Sequence, residues 1–321
     1  MVENSSIGSV LPPTGSPVAK RRRAWREFKD RVARYGVAMG GVSVIFAIVL
    51  IFFYLLYVVL PLFYGAEVDT KSEYQYSANS ASYLALNEYN DVALSVDMSG
   101  QVTFFAADTG KEILTPQLSL PEGSAITSFS SGDATTGILS YGFDNGQVLL
   151  FKREYKISYP DDKRKITPFI SYPLGQESIQ VDPKGRRVSL LSVQSNDEQS
   201  SFAALTENNS LVLQSTIREQ DFLDEDAFTL TTQIGEIDLS EFGDITHMEM
   251  DIDQRELYIV NRKGFIAYYD IQNIEQARLI QQIKAVPHGV DITTLEFLTG
   301  GISILVGRSD GQIDQWFPVR G

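Results

Sequence analysis

The sequence predicts an all-β domain of the β-propeller type, incomplete and made of about five blade units, preceded by one transmembrane α-helix. Three observations support this prediction: a glycine-containing phrase that recurs along the chain, a second phrase at a nearly constant distance before it, and a long apolar run without charge near the N-terminus. The propeller is expected to occupy residues 70–321 and the transmembrane helix residues 36–62.

The recurring phrase begins with a glycine and continues as a largely apolar segment. Its four copies start at Gly100, Gly146, Gly264 and Gly311. In two copies the glycine completes an Asn-Gly or Asp-Gly dipeptide, which supplies the positive φ angles that tight hairpins require. The four glycines are therefore predicted to be blade turns, each between two antiparallel strands.

The second phrase stands 19 or 20 residues before each of these glycines. Three of its copies begin with Ile-Thr. Its first residues are Ala81, Ile126, Ile245 and Ile292. Because both phrases keep their order and distance, each unit is predicted to contain a short strand, a turn, a second strand, a hairpin and a third strand.

The glycines are separated by 46, 118 and 47 residues. Periods of about 40–50 residues with antiparallel strands are typical of propeller blades, since one small sheet cannot bury both of its faces alone. The long interval is expected to hold a fifth, stretched copy from Ile179 to Leu213, with a first turn at residues 183–185 and an insertion near residues 195–200.

The last copy, residues 310–316, resembles the end of a WD40-like blade. A β-sandwich array is the main alternative, because the copies are degenerate. The final unit reaches Gly321 just after its third strand, whereas a blade usually has four. The natural polypeptide is therefore expected to continue.

The N-terminal region is predicted to be a membrane anchor. No residue between Tyr35 and Ala66 is charged, and about 20 apolar residues are enough to span a bilayer. The run is too long for a secretory signal peptide and lacks a small-residue cleavage site. Residues 1–19 are expected to be a disordered tail and residues 20–34 a basic amphipathic juxtamembrane helix.

The charged flank predicts the orientation of the anchor. Basic residues before a membrane helix favour a cytoplasmic N-terminus. This cytoplasmic topology signal consists of Arg21, Arg22, Arg23, Arg26, Lys29, Arg31 and Arg34. Gly36 and Gly40 lie four residues apart, and small residues at that spacing let a second helix approach closely, so both are candidates for helix packing.

Charge and composition exclude several classes of function. Residues 1–65 carry eight basic and three acidic residues, whereas the rest of the chain carries 19 basic and 38 acidic ones. An acidic domain is a poor ligand for nucleic acid. There are no cysteines and only two histidines, and no phosphate-loop, metalloprotease or nucleophile-elbow motif occurs. The chain is therefore not expected to be an enzyme, and no catalytic, cofactor-binding or metal residue is predicted.

Residues 22–68 closely resemble the start of the long-form phosphate ABC transporter permease of gammaproteobacteria, the PstC type. The resemblance rests on Phe28-Lys29-Asp30-Arg31, on Gly40-Gly41 and on the run from Leu50 to Phe63. In that family the first transmembrane helix is followed by a large WD40-like periplasmic insertion, and the permease helices come afterwards. The resemblance implies a bacterial inner-membrane protein with residues after about 65 in the periplasm.

The same resemblance implies the function and the partners. The chain is expected to be a membrane-subunit segment of an importer for inorganic phosphate. It would act with a second permease subunit, an ATP-binding cassette ATPase and a periplasmic phosphate-binding protein, in contact with membrane lipid. The permease core is missing here, so no phosphate-pathway residue can be assigned. The acidic charge predicts that the propeller binds protein rather than phosphate.

Two other functions stay open. The first is a single-pass, membrane-anchored propeller that serves as a scaffold in cell-envelope assembly. The second is a periplasmic propeller hydrolase, which the absence of any nucleophile–base pattern disfavours.

Overall fold

The computed structural model describes residues 17–65, 69–74, 81–220, 228–298 and 300–318. Most of the predicted disordered tail, residues 1–19, lies outside the described residues. The chain divides into two units, residues 1–70 and residues 71–321.

The first unit contains one long helix, α1, from Pro17 to Val59, followed by a 3-10 turn from Leu60 to Phe63. Proline is favourable in the first turn of a helix, so helical structure begins three residues earlier than the tail prediction of residues 1–19 allowed. The α-helix ends two residues before Pro61, whose ring clashes with a continuing helix. The predicted segments 20–34 and 36–62 thus share one continuous α-helix up to Val59, and residues 60–62 lie in the 3-10 turn that follows. By length and composition, α1 can cross a membrane.

The second unit is a five-bladed β-propeller in which consecutive strands pair antiparallel. Blade 1 consists of β1 (Ala81–Leu86), β2 (Val92–Asp97), β3 (Val102–Ala106) and β4 (Glu112–Leu114). Blade 2 consists of β5 (Ile126–Ser131), β6 (Ile138–Phe143), β7 (Gln147–Ser158) and β8 (Lys165–Ser171), with the short β9 (Ile179–Gln180) paired to β7.

The remaining three blades follow the same order. Blade 3 consists of β10 (Leu190–Ser195), β11 (Gln199–Leu205), β12 (Ser210–Gln220) and β13 (Phe228–Asp238). Blade 4 consists of β14 (Ile245–Met250), β15 (Glu256–Asn261), β16 (Phe265–Asp270) and β17 (Arg278–Lys284). Blade 5 has three strands among the described residues, β18 (Ile292–Phe297), β19 (Ile304–Arg308) and β20 (Ile313–Trp316). Short 3-10 turns lie at Pro160–Asp162, Glu207–Asn209 and Ile274–Gln276.

The predicted propeller is confirmed, and the second phrase marks the first strand of four blades. The strands β1, β5, β14 and β18 begin at the four residues named for that phrase. In each of them the second residue is bulged out of the ladder to the neighbouring strand. A bulge bends and twists a strand. The bulged residues are Ser82, Thr127, Thr246 and Thr293. The recurring Ile-Thr pair therefore corresponds to a local backbone feature of the first strand.

The boundaries predicted for the stretched copy were wrong. Ile179 lies in β9, which pairs with β7 and belongs to blade 2. Blade 3 begins instead at Leu190. Residues 183–185 lie in the link between these blades, and residues 195–200 form the ordinary hairpin from β10 to β11 rather than an insertion. The first strand of this blade has no bulge, and this blade also lacks the Ile-Thr pair, so nothing in the sequence marked its true start.

The core is divided into four apolar clusters, one between each pair of successive blades. For example, Phe104 of blade 1 and Phe151 of blade 2 belong to one cluster, and Leu257 of blade 4 and Leu211 of blade 3 belong to another. The other two clusters join blade 2 to blade 3 and blade 4 to blade 5. Each blade in the middle of the series buries both faces, which is why its strands read as nearly continuous apolar runs.

Polar contacts between blades supplement the apolar clusters. His247 of blade 4 lies 3.0 Å through Nδ1 from Thr246 Oγ1 and 3.1 Å through Nε2 from the carbonyl oxygen of Thr293 in blade 5. Burial lowers the pKa of His247, although the hydrogen bond to Thr293 opposes that shift. The histidine is thus a packed residue that joins two blades.

An ion-pair network connects the link between blades 2 and 3 to β13. The side chain of Asp182 is fully buried and accepts hydrogen bonds from Nε and Nη2 of Arg186, both at 2.9 Å. Arg186 also lies 2.9 Å from Glu236, and Lys184 lies 2.7 Å from the same carboxylate. Ser210 donates a further hydrogen bond to Glu236. The network thereby ties this link to the fourth strand of blade 3.

Candidate functional site

The first strands of the blades line the centre of the propeller. The strands β5, β10, β14 and β18 contact one another in order. A central cavity of 470 Å³ opens among them and is lined by residues of all five first strands. Those residues include Tyr83, Ser131, Gln194, Glu249 and Glu296. We call this space the central cavity; the loops from the first to the second strand of blades 2, 4 and 5 form its mouth.

Gln194 holds the wall of the central cavity in place. Its side chain is buried, its Oε1 accepts a hydrogen bond from the backbone N–H of Asp133 at 3.1 Å, and its Nε2 donates to the carbonyl oxygen of Met250 at 3.0 Å. One side chain of blade 3 thereby joins a loop of blade 2 to a strand of blade 4. A buried amide with both its oxygen and its nitrogen hydrogen-bonded rigidifies its surroundings.

The carboxylates of the central cavity have an electrostatic environment that disfavours full ionisation. Burial raises the pKa of Glu249 well above its usual value, and the nearby Glu296 raises it further. Burial and the neighbouring Asp133 also raise the pKa of Glu296. Like charges that share a poorly solvated site disfavour each other's ionisation. Among the described residues no group of three or more acidic or histidine side chains is arranged to hold a metal ion.

A second space adjoins the central cavity. A groove of 920 Å³ lies between blades 1 and 2 and extends to the β10–β11 hairpin of blade 3. It shares the lining residues Ala134 and Thr135 with the central cavity. We call it the interblade groove. Three buried residues line it: Asn87, which follows β1, Arg153 of β7, and Ser195 at the end of β10. Together the two spaces form the candidate functional site.

The interblade groove has an apolar side and a charged rim. Tyr89, Ile157 and Phe169 are each about 40% exposed there. The rim carries Glu88 and Asp197, and also an ion pair at 3.1 Å between Lys152 and Glu154. An exposed apolar surface with a polar rim is typical of a protein-binding site.

The structure places the predicted helix residues on the exposed surface of α1. Gly36 and Gly40 have no atom within 4 Å of the position where a Cβ would stand. The predicted topology residues are all exposed along the first turns of the helix; they are Arg21, Arg22, Arg23, Arg26, Lys29, Arg31 and Arg34. Arg23 lies 3.5 Å from Glu27. The roles assigned to these residues stay predictions.

The predicted blade-turn glycines lie in hairpins between second and third strands. Gly100, Gly146, Gly264 and Gly311 have φ angles of 87°, 78°, 80° and 83°. These hairpins lie at the opposite end of the strands from the loops at the mouth of the central cavity. The glycines therefore shape the blades and do not line the candidate site.

Sequence reasoning missed the residues that line the candidate site. A signal for part of it was present, because Glu249 and Glu296 each stand four residues after the Ile of an Ile-Thr pair. Once each pair is known to begin a first strand, both carboxylates fall at the same height beside the central cavity. No comparable signal marks Arg153 and Asn87, which meet only because blades 1 and 2 pack together.

Comparisons with known proteins assign the chain to no family. No family model matches the chain, and no curated protein matches it. Among solved structures, the chain is similar to the β-propeller domain of Cps50 (Swd1) from Myceliophteria thermophila. The identity is 16% and the TM-score 0.46, and the match covers 75% of this chain and 65% of that chain.

Proposed function

We propose that this chain is a segment of the membrane subunit of an ABC importer for inorganic phosphate. In this proposal α1 is the first transmembrane helix, with its basic end in the cytoplasm of a bacterium. The propeller is a periplasmic domain that binds a protein partner or a regulator. The other components of the proposed importer are a second permease subunit, an ATP-binding cassette ATPase and a periplasmic phosphate-binding protein.

The observation that carries the proposal is the order of segments around α1. A basic stretch, an uncharged apolar run and an acidic propeller follow one another. This is the order in the long-form phosphate permeases that residues 22–68 resemble. The apolar residues of α1 are exposed along its length, which suits a helix surrounded by lipid or by other membrane helices.

The described surface of the propeller suits binding better than catalysis. In the central cavity the Thr135 hydroxyl donates to the carboxylate of Asp133, which also accepts from the Thr135 backbone N–H, so this pair forms a local turn rather than an activated nucleophile. The acidic balance of the domain repels an anion, so it does not suit the collection of phosphate. We therefore assign the propeller to protein contacts, and energy and translocation to the other components.

A membrane-anchored scaffold is the alternative. One observation favours it: among the described residues, α1 is the one helix long and apolar enough to cross a membrane. A scaffold would need this anchor and the propeller but no ATPase. The two proposals differ in whether phosphate transport depends on the gene.

Disruption of the gene tests the importer proposal. We expect a deletion strain starved of phosphate to lose the high-affinity component of radiolabelled phosphate uptake, because an importer without a membrane subunit has no translocation path. The measurement is initial uptake rate against phosphate concentration. A plasmid copy of the full gene is the control and should restore uptake. Unchanged uptake together with an envelope defect would contradict the importer and support the scaffold.

Reporter fusions test the orientation of α1. Alkaline phosphatase matures only outside the cytoplasm, so we expect a fusion after residue 80 to be active because the basic flank retains the N-terminus inside. A fusion after residue 34 is the matched control and should be inactive at equal expression. Activity is measured in whole cells with a chromogenic phosphate ester. The reverse pattern would show that the propeller lies in the cytoplasm.

A further inference from the structure

We infer that the interblade groove binds an extended segment of a protein partner through one carboxylate of that segment, which the buried Arg153 recognises. This inference deepens the interaction role proposed for the propeller and does not depend on the transport assignment. It rests on hydrogen-bond donors without acceptors, on a buried cation without a carboxylate partner, and on the apolar side of the groove.

The first observation concerns Arg153. Its side chain is only 9% exposed, and its two terminal nitrogens donate at 3.0 Å to the carbonyl oxygens of Leu86 and Ala134. Its Nε has no acceptor among the described residues. Among the described residues Arg153 has no ion pair, whereas its neighbours Lys152 and Arg164 pair with Glu154 and Asp91. A buried cation without an anion is costly, and a guanidinium matches the geometry of a carboxylate.

The second observation concerns Asn87, which lines the same groove and is 6% exposed. Its Oδ1 accepts hydrogen bonds from the backbone N–H groups of Asp91 and Val92 at 2.8 and 3.0 Å. Its Nδ2 has no acceptor among the described residues. The side chain immediately follows Leu86, whose carbonyl Arg153 binds. Two buried donors in one groove thus lack acceptors, which a ligand rich in oxygen acceptors would supply.

The third observation concerns the hydroxyl of Tyr155, another residue of the groove. Burial raises its pKa, and the charge of Arg153 and a hydrogen-bond interaction with the Arg153 side chain oppose that shift. The positive charge of Arg153 therefore acts inside the groove. The position of the cation is held by two blades, since its acceptors follow strands of blade 1 and blade 2.

The surroundings define the rest of the ligand. Ile157 and Phe169 offer apolar contact area beside the donors, and the guanidinium of Arg164 lies over the ring of Tyr89, 4.3 Å from its centroid. The rim carboxylates of Glu88 and Asp197 would repel a run of acidic residues and attract a basic one. The groove therefore suits a single Asp or Glu beside an apolar side chain, flanked by Lys or Arg. An extended peptide also brings backbone carbonyls that can accept from Asn87 Nδ2.

Peptide display on the full chain tests the inference. The full chain, reconstituted in lipid nanodiscs, is used to select from random seven-residue peptides, with empty nanodiscs as counter-selection. We expect the enriched peptides to share one Asp or Glu next to an apolar residue with a basic flank. Their affinity is then measured by fluorescence anisotropy of labelled copies. The copy in which Gln or Asn replaces that acid should bind at least about ten-fold more weakly, because a charged hydrogen-bond pair is lost.

Two variants locate the binding site, and a third serves as control. Arg153→Gln should weaken binding at least about ten-fold. Asn87→Asp retains the Oδ1 that holds the loop and adds a negative charge to the groove, which should repel the carboxylate of the peptide. It should lose binding to the same degree as Arg153→Gln, and its circular dichroism spectrum is recorded to verify that it folds. Arg255→Gln removes the same charge from an exposed position of blade 4 and should change affinity by less than about two-fold.

Several results would overturn the inference. These are the absence of enriched peptides, enrichment of peptides without an acid, and equal binding to Asn87→Asp and Arg255→Gln. Displacement of the labelled peptide by millimolar inorganic phosphate alone would also overturn it, because the site would then be a small-anion subsite. None of these results bears on phosphate uptake, so this inference and the importer proposal can fail separately.

Discussion

We expect Phe104→Ala to destabilise the propeller by about 4 kcal/mol, because deleting a large buried aromatic side chain removes apolar burial and leaves a cavity. Phe104 is fully buried in the cluster between blades 1 and 2. Its ring meets that of Tyr155 edge to face, with the centroids 6.1 Å apart. The measurement is urea unfolding of the full chain in detergent, followed by the β-sheet signal in circular dichroism.

A phenylalanine on the surface provides the matched control. Phe317 is 65% exposed, so Phe317→Ala should shift the free energy of unfolding by less than about 0.5 kcal/mol. Equal effects of the two substitutions would contradict the interblade core described here. A loss confined to blade 1, seen as a separate early transition, would show that the blades unfold as independent units.

We expect Asp182→Ala to destabilise the propeller by about 3 kcal/mol, because two backbone N–H groups lose their buried acceptor and the guanidinium of Arg186 is left with Glu236 alone. Burial raises the pKa of Asp182, but the hydrogen bonds from Arg186 outweigh this effect, so the pKa lies below its ordinary value. The same carboxylate accepts hydrogen bonds from the backbone N–H groups of Lys184 and Arg186. The measurement is again urea unfolding at neutral pH.

An exposed ion pair is the control for this second substitution. Asp244 lies 3.6 Å from Arg262, and both side chains are about three-quarters exposed. Exposed pairs contribute about 0–1 kcal/mol, so Asp244→Ala should have little effect. If Asp182→Ala changed the free energy of unfolding as little as Asp244→Ala does, the buried network would contribute nothing to the stability of the fold.

The stability that this network contributes should depend on pH in a definite direction. The hydrogen bond from Lys184, followed by that from Ser210, lowers the pKa of Glu236 to about 2 from its ordinary value of 4.5. A carboxylate with a lowered pKa in the folded state stabilises the fold above its unfolded pKa and loses that contribution as the pH falls through the folded value. The contribution is therefore complete above about pH 5 and declines towards pH 2. Asp182 also has a lowered pKa, so Asp182→Ala should remove its own share of the acid decline and leave that of Glu236.

Much of the fold follows from local sequence. The uncharged run from Tyr35 onward predicts a membrane-length helix, since only apolar length matters for that property. The glycine turns and the Ile-Thr pairs predict four blades, because a hairpin with positive φ and a bulged strand each require particular residues at one position. The start of blade 3 could not be predicted in this way, because its first strand has neither the Ile-Thr pair nor the bulge.

The candidate site was decided by the tertiary structure. Arg153 and Asn87 stand 66 positions apart, and only the packing of blade 1 on blade 2 brings them to one groove. The central cavity likewise needs one residue from each of five first strands. Local patterns record the conformation of a strand or a turn, because that conformation depends on neighbours in the chain. The meeting of side chains from different blades depends on how whole sheets stack, and no short stretch of sequence encodes it.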